Sequence, residues 1–345
     1  MTNKKNLHIN RRKALLRLIT LPFATPALVA ALKSGETPSA TTSKDLLTQC
    51  AVGIGACWEL RKSAEHSDLA LAFEGVSTYL PVLQLIVKDS SEHRQEAARL
   101  VMQCFLLKSL LAQHLENLLS AISYAQQALP YSEAAQDVSL HLQVFKRLAV
   151  MYVFGKQYQQ ALQMMQHVEP FLKRKDVTLS PLQQAGLNSD LACVLVRNRQ
   201  DGSAYIERAG SLLPEKENER PVHVTFGKAG FLLDQGIVYS YQGESAKAIQ
   251  VFSQVVDPQT LTLKLPWGET ERVEIVNMMA MASLRDKDKD MEKTIHFWRA
   301  GIQGAKDLRS EQRFNEALEA YDIMAGHIWP GETRIKELHD LTQHW

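Results

Sequence analysis

From residue 45 onward, apolar positions recur every three or four residues in stretches separated by short polar or Gly- and Pro-containing breaks. That period belongs to helices with one buried face. Residues 45–60 carry Leu46, Leu47, Cys50, Cys57 and Trp58 at this spacing, with Val52 or Ile54 filling the gap. Residues 68–88 predict a second helix, kinked at Pro81. Residues 92–114 predict a third, with Ala97, Leu100, Val101, Cys104, Phe105 and Leu107 as its stripe, and 118–129 its partner, stopped by Pro130. Ser180-Pro181 is a helix-start pair for 182–197, and 204–213 returns after a polar turn. Four more helices are expected over 270–285, 291–308, 313–328 and 332–345, the last closing the chain. No run of useful length alternates with period two, so the expected class is all-α.

Two stretches repeat each other. In 140–169, Phe145, Leu148, Ala149 and Tyr152 share one face, Gly155 interrupts, and Tyr158, Ala161 and Met165 line the next face. In 232–256, Gly236, Tyr239, Gly243, Ala248 and Phe252 mark the same landmarks. Tyr152 to Ala161 and Tyr239 to Ala248 are both nine residues, and the two alanines stand 87 apart, or two units of about 43. Small Ala149 and Ala161 fall where the paired helices would cross.

This pattern resembles the tetratricopeptide repeat, whose first helix carries W-x2-L-G-x2-Y and whose second carries A-x3-F. The resemblance implies an α-solenoid of helical hairpins over 45–345 and a non-enzymatic scaffold or sensor that binds a protein or peptide. It also implies which residues face the partner on the concave side. These are Gln143, Lys146, Val150, Val153 and Phe154 in the first repeat, and Leu233, Ile237, Ser240 and Tyr241 in the second. The Lys-x3-Asn carboxylate clamp of some family members is absent, because Lys146 is followed four residues later by Val150. The long units and the closing WPGETRIKELHDL are also similar to the sensor halves of bacterial helix-turn-helix regulators, which implies a cytoplasmic regulatory or signalling role. About forty residues precede the array, with no complete helix-turn-helix, so no nucleic acid is expected as a partner of this chain alone.

The N-terminal segment, 1–44, opens a second reading. Asn10-Arg11-Arg12-Lys13 precedes a moderately apolar stretch, the outline of a twin-arginine export signal. Ala14, Arg17, Pro22 and Pro26 depart from that outline, and the apolar run 19–32 is too short for a stable membrane span. The alternative function is thus an exported accessory protein. Residues 33–44 read as a polar linker.

Composition changes this picture little. Hydrophobic residues make up 45% and charged residues 22% of the chain, and the formal net charge is +1, which offers no global field for nucleic acid or anionic membrane. The four cysteines form no CxxC or Cys-His zinc spacing and read as buried thiols. Asp286, Asp288 and Asp290 lack the Gly and Glu that a calcium loop requires at its sixth and twelfth positions. His339 and His344, five apart, are a poor metal pair. No HExxH, GxSxG or phosphate-binding glycine loop occurs, so neither enzyme activity nor a cofactor is expected.

Overall fold

The computed structural model describes residues 40–62, 66–88, 92–174, 179–214 and 226–343. The Arg11-Arg12 motif, most of the expected linker and His344 lie outside them. Among the described residues the regular structure is helical, apart from an isolated antiparallel bridge between Val256 and Leu263 in the long connection after the second repeat.

The helices are α1 (Ala40–Leu60), α2 (His66–Lys88), α3 (Arg94–Leu115), α4 (Leu118–Ala128), α5 (Val138–Phe154) and α6 (Tyr158–Lys173). Then come α7 (Pro181–Arg197), α8 (Ser203–Leu212), α9 (Lys228–Tyr241), α10 (Ser245–Phe252), α11 (Glu269–Arg285), α12 (Met291–Leu308) and α13 (Glu311–Ile323). Short turns fill Leu129–Tyr131 and Ser132–Ala135.

The second expected helix, α2, forms with Pro81 inside it. Three expectations need correction. The last stretch of the expected linker is already helical, since α1 starts at Ala40. The helix expected over 313–328 leaves α geometry at Ile323 and continues as a π-helical turn, Met324–Ile328. The expected closing helix is two single turns, Thr333–Lys336 and His339–Thr342, after Pro330 and a left-handed Gly331.

The chain divides into two compact units. The described parts of 1–112 and 119–148 form one; those of 113–118, 149–220 and 224–345 form the other. In the first unit α1 packs on α2 around Leu46, Leu47, Cys50, Ile54, Tyr79 and Leu83, all almost fully buried. Gly53 admits the Tyr79 ring, which a side chain there would overlap. Among the described residues α2 alone is long and apolar enough to cross a membrane by length and composition, and half of that stretch is buried. A buried arginine also belongs to this unit: Arg147 donates to Ser109 Oγ (2.9 Å) and Ser109 O (2.7 Å).

In the second unit consecutive helices pair as hairpins: α7 with α8, α9 with α10, α11 with α12. The first helices also meet one another, α7 with α9, α9 with α11 and α11 with α13. The sequence period explains this packing. Small residues recur at Ala149, Ala192, Gly236 and Ala280, each 43 or 44 residues after the last and each buried. At Gly236 an added methyl would overlap the Phe252 ring of the return helix. Helix ends repeat as well. Lys156, Arg199 and Gly243, again 43 and 44 apart, all adopt left-handed backbone (φ 57°, 59° and 80°). The following amide reaches back five residues in each case: Gln157 N to Tyr152 O (2.8 Å), Gln200 N to Leu195 O (2.9 Å), Glu244 N to Tyr239 O (2.9 Å). This is the Schellman closure that lets a helix stop and its partner start within a few residues. The core behind these helices is continuous from Ala192 to Leu338, with Trp298 fully buried and its Nε1 donating to Ala317 O at 2.8 Å.

Candidate functional site

The end of each first helix in the second unit presents a large side chain. The last helical residues of α5, α7, α9 and α11 are Phe154, Arg197, Tyr241 and Arg285, spaced 43, 44 and 44 residues apart. Three of them touch in series. The Arg197 guanidinium lies 5.1 Å from the Tyr241 ring centroid, and that of Arg285 lies 4.6 Å from it. Arg285 also donates to Ser240 Oγ (2.9 Å), and Arg197 to Cys193 O (3.1 Å) at the end of its own helix, where the carbonyl dipoles favour a cation. Tyr158, the first residue of α6, is hydrogen-bonded to Tyr241; burial, with Tyr241 beside it, holds its ionisation above the usual phenol range. The register is pinned by side-chain amides one residue further on. Asn198 Nδ2 donates to Tyr158 O (2.9 Å), and Gln242 Nε2 to Ser203 Oγ (2.8 Å), each reaching the return helix of the preceding hairpin.

Beside this row lies a half-open cleft of about 200 Å³. Helix α13 forms one wall with Glu311, Gln312, Asn315, Glu316 and Glu319; Gln113, Asn117, Phe154 and Lys156 line the other. The wall comes back against the α5–α6 turn. Lys156 Nζ pairs with Glu319 at 3.1 Å, and the Arg313 guanidinium stands 5.5 Å from the Phe154 ring. His114 Nδ1 and Ser310 Oγ, 2.7 Å apart, add a buried bond. Lys156–Glu319 is exposed and contributes little by itself. Beneath the cleft the chemistry is different. Arg313, almost fully buried, holds Glu274 at 2.6 Å and Glu316 at 2.5 Å, and Asn277 Nδ2 donates to Arg313 O at 3.0 Å. Burial raises the Glu274 pKa to about 7, against the pull of Arg313 and with help from Glu316 and Glu271. Burial works against the Arg313 charge too, but Glu274 and Glu316 outweigh it and hold the guanidinium more firmly charged than usual.

The residues expected to face a partner fall into three groups. Phe154 and Tyr241 sit at the site, Phe154 half-buried in the cleft wall and Tyr241 38% exposed. Gln143, Lys146, Val150 and Val153 are half-buried on α5, the first two in the first unit. Leu233 and Ile237 are corrections: only 7% and 3% exposed, they belong to the hydrophobic core. Both faces of α9 are used up, since α7 covers one side and α11 the other while α10 packs behind. Ser240 is buried as the acceptor of Arg285. Sequence reasoning missed Arg197 and Arg285. The signal was available: both stand in the 43- and 44-residue register of Phe154 and Tyr241.

All four cysteines are free and buried, and burial pushes the Cys50 and Cys57 thiols up to about 12, so they are inert as nucleophiles. Among the described residues no group of three His, Cys, Asp or Glu side chains is placed to hold a metal ion. No protein-family model matches the chain, and no curated protein matches it.

Proposed function

We propose that this chain is a tetratricopeptide-like α-solenoid that binds a protein or peptide without transforming it, in the regulatory or signalling setting that the resemblance implies. The observation that carries this reading is the in-register row Phe154, Arg197, Tyr241 and Arg285 beside the Phe154–Lys156–Glu319 cleft. A repeat array buries the helix flanks on its neighbours, so equivalent positions of successive repeats form one continuous surface. Aromatic and arginine side chains at such positions are the types that dominate binding energy at interfaces. The cleft adds amide and carboxylate groups able to bond the backbone and side chains of an extended or helical peptide.

The test is affinity purification of the intact protein, identification of what co-elutes, and titration of that partner against Phe154→Ala and Tyr241→Ala. Each truncation is expected to weaken binding by about 2 kcal/mol or more. Unchanged affinity for both, with helicity intact, places the binding surface elsewhere.

A further inference from the structure

The row of helix ends carries two cations, and Asp234 stands near enough to Arg197 to favour its charge. Arg197 and Arg285 flank one tyrosine, and neither makes a salt bridge with any carboxylate among the described residues. Elsewhere in this unit Arg272 pairs with Glu269, Arg313 with Glu274 and Glu316, and Arg334 with Glu292. Arg197 spends an N–H on Cys193 O, which accounts for it as a helix cap. Arg285 is different. Its hydrogen bond goes to Ser240 Oγ on the neighbouring helix, and its guanidinium lies against the Tyr241 ring.

A guanidinium stacked on an aromatic face is held in orientation while its edge N–H groups stay available. The remaining N–H donors of Arg285 find no partner among the described residues, and both Arg285 and Tyr241 are exposed. Planar, preoriented donors of this kind match the two oxygens of a carboxylate or a phosphate, and the match is bidentate. The neighbouring cleft is less suited to an anion: Glu319 is paired with Lys156 and Glu316 with Arg313, so its cations are engaged, and Glu311 adds a further carboxylate.

We propose that Arg285, stacked on Tyr241 and supported by Arg197, is an oxyanion receptor that binds an acidic side chain of a peptide lying across the helix ends. This rests on the peptide-binding reading and fixes the polarity of the ligand: its acidic group lies at the arginine end of the row, away from the carboxylate-lined cleft. The oxyanion is a carboxylate of Asp or Glu or a phosphate ester on the same peptide, and the experiment separates the two.

The probes are fluorescein-labelled, C-terminally amidated amphipathic peptides of Leu, Ala and Lys, identical except for one position carrying Glu, Gln or phosphoserine. Each is titrated by fluorescence anisotropy against the full chain and against Arg285→Ala and Arg285→Lys. The exposed position of Arg285 keeps both variants foldable, which circular dichroism checks. Against the unaltered chain the Glu peptide is expected to bind at least about ten-fold more tightly than the Gln peptide. Arg285→Ala is expected to erase that ratio, and Arg285→Lys to keep only part of it, because ammonium lacks the planar fork. A phosphoserine peptide tighter than the Glu peptide identifies phosphate as the natural group; the reverse order identifies carboxylate. Equal affinity for Glu, Gln and phosphoserine peptides, or an acidic preference that survives Arg285→Ala, overturns the receptor and leaves peptide binding intact. No binding by any peptide removes both.

Discussion

Gly236 and Gly55 both lie inside helices, yet they answer oppositely to one methyl group. At Gly236 the methyl runs into the Phe252 ring, whereas at Gly55 nothing lies within 4 Å. Gly236→Ala is therefore expected to destabilise by about 1–3 kcal/mol, as overpacking does. Gly55→Ala is expected to stabilise by about 0.5–1 kcal/mol, because alanine loses less backbone entropy in a helix. Urea denaturation of the two variants gives the signs directly. Glu274 sets a pH dependence at the same scale. Its folded pKa of about 7 lies above the ordinary 4.5, so the native state prefers the protonated carboxyl. The associated stability is fully present below about 4.5 and is lost as pH rises through about 7. The part of the stability loss between pH 5 and pH 8 that belongs to this carboxyl should vanish in Glu274→Gln, read as a shallower difference between denaturation midpoints at the two pH values.

One helix start was directly legible in the sequence. Ser180 accepts from Gln183 N while Gln183 Oε1 accepts from Ser180 N, a reciprocal capping box in front of Pro181. Ser180→Ala is expected to cost about 0.5–2 kcal/mol in thermal or chemical denaturation. Asp290, excluded above as a calcium ligand, caps the next helix, accepting from Lys293 N at 3.1 Å. Ala161 and Ala248, placed at helix crossings by the nine-residue interval, are both fully buried. What stayed hidden follows from physics that local pattern does not carry. Leu233 and Ile237 are apolar at helical spacing, and periodicity cannot say which faces of α9 its neighbours will cover. The 332–345 stretch has helical composition, but its described part forms two single turns after the left-handed Gly331, an arrangement that local composition does not encode. Phe154 and Tyr241 were reached through the two clear repeats, whereas Arg197 and Arg285 stand at the same register in stretches to which that pattern was not carried over.

The described molecule is helical hairpin after helical hairpin, and most of its contacts join neighbours in sequence. Far-UV circular dichroism of the whole chain should show a helical spectrum without a strand component, and substantial strand signal would contradict the fold. Within the second unit one feature breaks the nearest-neighbour rule. Helix α13 returns to the α5–α6 turn through Lys156–Glu319 and Arg313–Phe154, and its cap Ser310 meets His114 of α3, joining residues far apart in the chain. Contacts between residues so far apart in sequence leave fewer independent ways to fray than neighbour contacts alone.

The left-handed turn residues leave a margin that the molecule has not used. Arg199 and Arg309 hold φ values of 59° and 49°, a conformation glycine adopts without strain, as Gly243 does at the equivalent turn. Arg199→Gly and Arg309→Gly should each raise the melting temperature, with a gain of about 0.5–1 kcal/mol after glycine's extra freedom in the unfolded chain is discounted. Lys156 is strained in the same way, at φ 57°, but its ammonium stands at the mouth of the cleft. Thermal hardening therefore competes with the cleft at Lys156 and borders the proposed arginine row at Arg199, two residues from Arg197.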